Sequence, residues 1–453
     1  MAIGIEASLA SVDPHVAGLV NRAGELQGTT LALIPSVNHS SSAVRQAVGS
    51  VLDHSYSEGY PGKRYYQGQE VPDAVERLAI ERAKELFGVP HVNVQPLSGS
   101  PANMAVYSGL LSGGENRGKI MGLDLPSGGH LTHGAKASLS SRFFDAVPYG
   151  TDPEGWIDYD GLEERAQAER PDIIVAGTTA YSRRLDWERF REIADKSRAL
   201  LMADVSHIAG LIAGGAYPSP VEYVDIMTTT THKTLRGPRG AMIMVTERGL
   251  NKDDLMGEKI DRAVFPGMQG GPHINTIAGI AVALHEAAQP EFKTYAKQVV
   301  SNAEVLAAEL RELGIQLVTG GTDSHLFLID LRNNNGITGN TVAEGFERAG
   351  IIVNRNAVPH DEAPAYYPSG IRVGTPAITS RGMGEKEMLQ IADWMSDMIH
   401  GFAGRKDRLG IDRKGERNGS NRREIANVRL VEDVRAGVID LCEHFPIPDS
   451  YIG

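Results

Sequence analysis

The chain has 453 residues, 41% of them hydrophobic and 23% charged, with a formal net charge of −12. This acidic balance argues against nucleic acid or an anionic membrane surface as a partner, since both need basic patches. One core rarely grows beyond roughly 250–300 residues, so we expect two domains, and the single cysteine, Cys442, excludes an intramolecular disulfide and favours the cytoplasm.

The first part of the chain predicts helices separated by turns. Residues 1–55 predict an irregular N-terminal arm with short helical pieces, in which Asn38–Ser42 is either a turn or a helix N-cap. Asp73–Phe87 predicts an amphipathic helix that begins with the capping-box pair Asp73 and Glu76 and ends at Gly88. A further helix is expected over Ala102–Leu111.

Short apolar runs then alternate with helical segments. Four runs predict strands: Ile173–Ala176, Leu200–Ala203, Ile226–Thr228 and Met242–Val245. Several lack polar alternation, which is typical of strands buried on both faces of a parallel sheet. A helix over Leu185–Ala199 between two of them predicts a βαβ unit. The fold class is therefore α/β, with a mostly parallel central sheet.

A smaller α+β domain is predicted at the C-terminal end. We place the large domain at 56–290 and the small domain at 291–453. A helix over Glu291–Leu313 leads into the small domain. The expected elements after it are a strand at Leu326–Leu331, a helix at Val342–Ala349 and extended pieces at Ile351–Asn354 and Ile371–Val373. The basic, polar stretch 403–425 is typical of a solvated loop, although such a run could also bind a phosphate-bearing ligand.

Lys233 is the sharpest local signal for chemistry. It follows an apolar strand and the hydroxyl run Thr228–Thr231, and it precedes a glycine-rich turn. A lysine at a strand end can be desolvated, which lowers its pKa and makes the amine a nucleophile suited to a Schiff base. The usual alternative is a surface lysine.

Asp204 directly follows the run Leu200–Ala203. A carboxylate at the C-terminal end of a parallel strand faces the ligand crevice of an open α/β sheet. Pyridoxal 5′-phosphate needs an acidic partner on its pyridine nitrogen, so Asp204 and Lys233 together point to that cofactor. The alternative is a helix cap.

Further segments could complete such a site. Ser98-Gly99-Ser100 opens a helix whose N-terminus could bind phosphate, and Gly270-Gly271 could add backbone donors. His130 could stack on a flat cofactor, and Arg372 could bind a substrate carboxylate. The carboxylate and phenol groups of residues 56–66 could also belong to the site, or they could form a surface or subunit contact.

These residues lie in strings that closely resemble serine hydroxymethyltransferases, which are fold-type I pyridoxal-phosphate enzymes. The resemblance runs from about Leu33 to Gly401. It is carried by EGYPGKRYY at 58–66, NVQPLSGSPAN at 93–103, GGHLTHG at 128–134, TTTTHKTLRGPR at 228–239, FPGMQGGP at 265–272 and SGIRVGTPAIT at 369–379.

The resemblance implies a role for each matching residue. Lys233 would carry the cofactor, Asp204 would pair with its ring nitrogen, and His130 would stack on its ring. Glu58 would be the acid–base group, and Tyr66 and Thr230 would be further catalytic residues. The other cofactor contacts would be Ser98, Gly99, Ser100, Tyr56, Thr179, Ser206, His207, His232, Gly270 and Gly271.

The substrate side follows from the same resemblance. Arg372 and Ser36 would bind the amino-acid carboxylate, with Glu58 and Tyr66 nearby. Tetrahydrofolate, the co-substrate, would contact Leu125, Gly129, Leu131 and Asn356. The implied assembly is a homodimer, possibly a tetramer, in which Tyr56, Tyr66, Gly270 and Gly271 serve the neighbouring subunit. No metal is expected.

Departures from the family's pattern leave the amino-acid substrate open. The segment Pro35–Ser42, the residues Leu97 and Ser127, and the loop His360–Tyr367 differ from the usual strings. The leading prediction is interconversion of serine and glycine with tetrahydrofolate. The first alternative is a specialised relative, either an α-methylserine hydroxymethyltransferase or a folate-independent β-hydroxy-amino-acid aldolase or transaldolase. The second is a non-catalytic binding protein on the same fold.

Overall fold

The computed structural model describes residues 7–111 and 117–447. Its strands are β1 Leu31–Ala32, β2 Gly59–Tyr60, β3 Lys63–Arg64, β4 His91–Asn93, β5 Lys119–Leu123, β6 Asp145–Tyr149, β7 Ile173–Gly177, β8 Leu200–Asp204, β9 Ile226–Thr230, β10 Ala241–Val245, β11 Leu326–Asp330, β12 Ile351–Ile352, β13 Asn354–Asn356 and β14 Gly370–Gly374.

Helices cover both faces of the sheets. They are α1 Leu9–Val12, α2 Pro14–Gly28, α3 Ser42–Val48, α4 Glu70–Phe87, α5 Gly99–Leu111, α6 Leu139–Phe143, α7 Tyr159–Glu169, α8 Trp187–Ser197, α9 Ala209–Ala213, α10 Glu247–Lys252, α11 Met256–Val264, α12 Ile274–Ala287, α13 Pro290–Glu312, α14 Gly339–Arg348, α15 Pro376–Ser380, α16 Glu385–Leu409, α17 Gly419–Ile425 and α18 Arg429–His444. None of these helices is long and apolar enough to span a membrane.

The central sheet confirms the predicted fold class. Its seven strands lie in the order β4-β10-β9-β8-β7-β5-β6. Strands β5 to β9 pair in parallel, whereas β10 is antiparallel to both of its neighbours. Strands β7, β9 and β10 are buried along their whole length, as expected for strands covered on both faces. The carboxyl ends of β4, β5, β7, β8 and β9 therefore meet at one edge.

The C-terminal part of the chain has its own core around the sheet β11-β14-β13. Helix α13 joins the two regions: Phe292 and Val299 pack on the large core, whereas Leu306 and Leu310 pack on the small one. Leu31 also belongs to the small core, because β1 pairs with β12. The domain limits given above stay a prediction.

Two local predictions were wrong. Helix α4 begins one turn early, after Gln69, so Asp73 and Glu76 lie inside it rather than forming a capping box. Both carboxylates instead bind the Arg64 guanidinium, at 2.9 and 2.5 Å. Stretch 403–425 is not an open loop but carries the end of α16, a 3-10 turn and α17, because Lys406 and Glu416 form a buried ion pair at 2.8 Å that fixes it to the small domain.

Candidate active site

Asp204 is the centre of a buried hydrogen-bond network at the carboxyl edge of the central sheet. It ends β8, where Gly177 of β7 lies so close that a Cβ there would approach the Asp204 Cβ to 2.7 Å. Its Oδ2 accepts from Asn103 Nδ2 at 2.9 Å and lies 3.0 Å from His133 Nε2. Its Oδ1 accepts from the Ser206 backbone N–H at 3.1 Å.

This network keeps the Asp204 carboxylate ionised. Burial alone would raise its pKa, but the hydrogen bonds from His133 and Ser206 and the nearby His130 together hold the pKa of Asp204 far below its usual range. One nitrogen each of His130 and His133 and one Asp204 oxygen lie within 4.8 Å of one another. The hydrogen bonds of this network explain why these three groups lie together. The Asp204 carboxylate therefore remains an anion at the site.

His130 lies beside this carboxylate and is held by Thr132. Its Nδ1 is 2.7 Å from Thr132 Oγ1, which also accepts from Asn103. Burial lowers the pKa of His130 to about 4, so the ring is neutral at neutral pH. Because a 3-10 turn at Leu131–His133 follows, His130 and His133 stand together in an edge-to-face contact with ring centroids 5.6 Å apart.

Lys233 lies three residues beyond the end of β9, at the same edge. Burial lowers the pKa of its amine to about 8, with Asp204 opposing the shift and Arg372 and Arg239 adding to it. Roughly one-tenth of such an amine is neutral at pH 7. Asn38 fixes the backbone here: its Nδ2 donates to the Lys233 carbonyl at 2.9 Å and to Tyr295 Oη at 2.7 Å.

The phosphate-binding residues predicted from sequence surround the N-terminus of α5. Ser98 and Ser100 are exposed there, beside free N–H groups that favour an anion. A Cβ at Gly99 would lie 2.8 Å from Thr230 Cγ2, so glycine lets the backbone approach β9. The Thr230 N–H donates to Ser206 Oγ at 3.0 Å. Among the described residues, the buried Nδ1 of His232 has no hydrogen-bond partner.

Arg372 reaches the site from β14. Its Nε donates to Asn354 Oδ1 at 3.0 Å, and its Nη1 donates to the Thr179 carbonyl. The Thr179 hydroxyl donates in turn to the Gly129 carbonyl at 3.0 Å. Burial lowers the pKa of Arg372 to about 10, so the guanidinium stays charged at neutral pH.

His207 and His325 form a stacked pair between the two regions of the chain. Their rings lie 5.4 Å apart at 27°, and His207 Nδ1 is 3.1 Å from His325 Nε2. Burial, with the charges of Arg372 and Lys233, lowers the pKa of His325 to about 3 and that of His207 well below its ordinary value. Both rings are therefore neutral at neutral pH.

A second group of predicted site residues lies elsewhere on the surface. Tyr66 Oη donates to Glu58 Oε2 at 2.9 Å. A Cβ at Gly270 would lie 3.3 Å from Glu58 Oε1, and one at Gly271 would lie 2.8 Å from Tyr56 Cδ1. In residues 7–111 and 117–447, no hydrogen bond or ion pair links these side chains to the group around Lys233. The structure thus divides the predicted residues into two clusters.

The remaining predicted residues lie around the first cluster. Leu125 and Leu131 are each 48% exposed, so both side chains are accessible to a ligand. Asn356 lies on β13, opposite Gly370. Ser36 follows Pro35, which packs so tightly on Gly374 that a Cβ there would meet it at 2.7 Å.

Sequence reasoning missed several residues of the network. Asn103, Thr132 and His133 hold Asp204 and His130, and Thr228 Oγ1 donates to Asn103 Oδ1 at 2.7 Å. Asn103, His133 and Thr228 stand in the quoted strings, so the strings contained the signal. The sequence around His325 and Asn38 contained no such signal, because the site residues they contact are over 100 residues away along the chain.

Comparisons with known proteins agree with this geometry. A family model described as serine hydroxymethyltransferase matches residues 9–395. A serine hydroxymethyltransferase of Acidothermus cellulolyticus is 50% identical over 443 residues, 98% of this chain and 97% of that protein. One of Desulfotalea psychrophila is 52% identical over 395 residues, covering 87% and 90%. One of Sorangium cellulosum is 48% identical over 442 residues, covering 97% and 96%.

Proposed function

The chain belongs to the serine hydroxymethyltransferase family, and we propose that Lys233, Asp204 and Arg372 carry that family's chemistry in it. The protein is a pyridoxal-phosphate-dependent enzyme that interconverts serine and glycine, with tetrahydrofolate as the one-carbon acceptor. One observation carries the assignment of residues: a desolvated lysine amine and a carboxylate that buried donors keep ionised lie at the same edge of the central sheet.

The residues present fit pyridoxal 5′-phosphate. Ser98, Gly99 and Ser100 would hold its phosphate at the α5 N-terminus, and the unpartnered His232 Nδ1 offers one further polar contact. Asp204 would face its ring nitrogen and His130 would lie against its ring. When bound, the cofactor supplies an aromatic electron sink conjugated with the amino-acid nitrogen.

The chain's own groups bind, orient and move protons. Lys233 offers a partly neutral amine. This amine would release the cofactor when substrate binds and bind it again when product departs. Asp204 holds a proton at the cofactor's ring nitrogen, because its low pKa keeps the carboxylate anionic. Arg372 binds the amino-acid carboxylate through its charged fork. Fixing that carboxylate orients the Cα–Cβ bond, and such orientation can lower a barrier by several kcal/mol, up to roughly 7–11.

Glu58 would handle the proton of the substrate hydroxyl. It bonds only to Tyr66 among the described side chains, on an exposed surface, so it can exchange a proton with a ligand. The exposed Leu125 and Leu131 would contact tetrahydrofolate, and Gly129, Asn356 and Ser36 lie on the segments that border this side.

We propose that two copies of the chain share their active sites. Helices α1 and α2 expose an apolar surface with almost nothing packed on it, since Gly24 is the sole buried residue of α2. The exposed residues are Leu9, Val12, Val16, Leu19, Val20 and Leu26. Tyr56, at 68% exposed, also lies open. Large exposed apolar patches mark contact surfaces, so a second copy would cover these and receive the Glu58 cluster at its Lys233.

Mixing two inactive variants tests this shared site. Lys233→Ala and Glu58→Gln should each be inactive as homodimers. Co-expressed, they should recover about a quarter of wild-type activity, because half of randomly formed dimers are mixed and each mixed dimer has one intact site. That value is for the unfractionated mixture; dimers purified through two tags, one on each variant, are all mixed and should recover about half of wild-type activity. If Glu58 serves the Lys233 of its own chain, the mixed dimers stay inactive.

A substrate panel tests the reaction itself. We expect L-serine to be cleaved faster with tetrahydrofolate than without it, and α-methylserine and threonine to be poor substrates. Within the segment Pro35–Ser42, the Asn38 side chain is held by hydrogen bonds to Lys233, Tyr295 and Ser380. Faster turnover of α-methylserine, or serine cleavage unaffected by folate, would favour the specialised relative instead.

A further inference from the structure

A cleft of about 530 Å³ in the small domain lies outside the active site described above. It is formed by the stretch 413–417 and the loop 360–369, which includes the departure from the family's pattern at His360–Tyr367. Its lining includes four cations: Arg332, Arg413, Lys414 and Arg417. The volume is within the usual range for a small-molecule site, roughly 300–1,000 Å³.

Three of these cations have no carboxylate partner. Arg332 is paired with Asp330 at 2.7 Å. Arg413 donates only to the Ser369 hydroxyl, at 2.6 Å, and Arg417 lies over the Tyr367 ring at 5.7 Å. In the part of the chain that the structure describes, neither Lys414 nor Arg417 has a side-chain hydrogen bond or ion pair. Unpaired cations gathered in one cleft of a chain with net charge −12 are the electrostatic pattern of an anion site.

The two carboxylates of the cleft, Asp361 and Glu362, offset only part of the charge of its four cations. Asp361 accepts from the Ser369 N–H at 2.7 Å, from the Ser369 hydroxyl at 2.5 Å and from the Ala363 N–H at 3.0 Å. These bonds hold the cleft wall in shape. Glu362 is exposed, as Lys414 and Arg417 are, so water screens these three charges alike. The lining keeps a net positive charge, and in the part of the chain that the structure describes neither carboxylate pairs with Arg413, Lys414 or Arg417.

We propose that this cleft binds a small ligand carrying at least two anionic groups, phosphate or carboxylate. Guanidinium groups bind either group through two parallel hydrogen bonds. Two cationic groups three residues apart, Lys414 and Arg417, can hold two adjacent anions. The proposal does not depend on the chemistry at Lys233.

The cleft wall also touches the large domain. His360 Nε2 lies 3.1 Å from the carbonyl oxygens of both Thr151 and Asp152. Ser369, which holds Arg413 and Asp361, directly precedes the strand β14 that carries Arg372. A bound anion would therefore contact a segment that leads to the substrate-binding arginine.

Calorimetric titration of the full-length protein tests the site, with inorganic pyrophosphate as the phosphate probe and a tri-glutamate peptide as the carboxylate probe. Binding of either probe, weakened about tenfold or more by Lys414→Glu and by Arg417→Glu, supports the proposal, and the probe that binds identifies the anion. The control is Arg423→Glu, an exposed change in the same stretch but outside the cleft. No binding of either probe, or binding equally weakened by the control, overturns it.

Discussion

Replacing Lys233 with alanine is expected to lower serine cleavage by at least about 10³-fold, the scale of losing a positioned proton-transfer and nucleophilic group. The reason is physical: burial gives this amine a pKa of about 8, and the chain would lose that amine from the sheet edge at which Asp204 lies. Steady-state turnover of serine with tetrahydrofolate measures the loss. The absorbance that the cofactor acquires on linkage to a lysine should disappear as well.

Lys293→Ala is the matched control for that change. Lys293 is exposed on α13, so its removal deletes one lysine charge from the surface. We expect its turnover and absorbance to match those of the wild type. The catalytic role of Lys233 would be refuted if K233A kept a tenth or more of wild-type turnover. An unchanged absorbance spectrum in K233A would also refute it, because the cofactor would then be held by another lysine.

Asp204→Asn should lower kcat by roughly 10²–10³-fold, the cost of removing one preorganised electrostatic group. The carboxylate receives two donors on Oδ2 and one on Oδ1. An amide has only one oxygen, so its NH₂ group must face a donor, either Ser206 or the Asn103–His133 pair. The variant also loses the negative charge that holds a proton at the cofactor's ring nitrogen. Single-turnover kinetics at saturating serine measures the effect.

Asp225→Asn separates this electrostatic effect from a loss of stability. Asp225 is fully buried just before β9, at the opposite edge of the sheet, and pairs with Arg191 at 3.2 Å and Lys252 at 2.9 Å. Breaking a buried pair costs about 3–5 kcal/mol, so its Tm should fall. Its kcat per folded site should be unchanged. Equal losses of kcat in D204N and D225N would mean that Asp204 acts only through the fold.

Four of the seven strands of the central sheet were predictable because each carries its own signal, whereas β4, β5 and β6 were not predicted. Runs such as Ile173–Ala176 are apolar on both faces, and the structure lengthens each by a residue or two without moving it. Asp204 and Lys233 could be found for the same reason, since each ends or follows such a run. Parallel pairing of β8 and β9 brings their carboxyl ends to one edge.

The parts that could not be predicted depend on contacts between distant residues. The sequence around Asp73 reads as a helix start, but the carboxylate serves Arg64 inside the helix. The basic stretch 403–425 has the sequence of a solvated loop, but Lys406 and Glu416 within it form a buried ion pair. His325 joins the site only because the small domain packs against the large one, which no local pattern encodes.

Reductive trapping tests the central claim most directly, since borohydride makes the bond between the cofactor and its lysine permanent. Digestion of the treated protein and mass spectrometry then locate the modified residue. We expect the added mass on the peptide that contains Lys233, and none on that peptide in K233A. Modification of a different lysine in the wild type, or none at all in cofactor-loaded protein, would contradict the account.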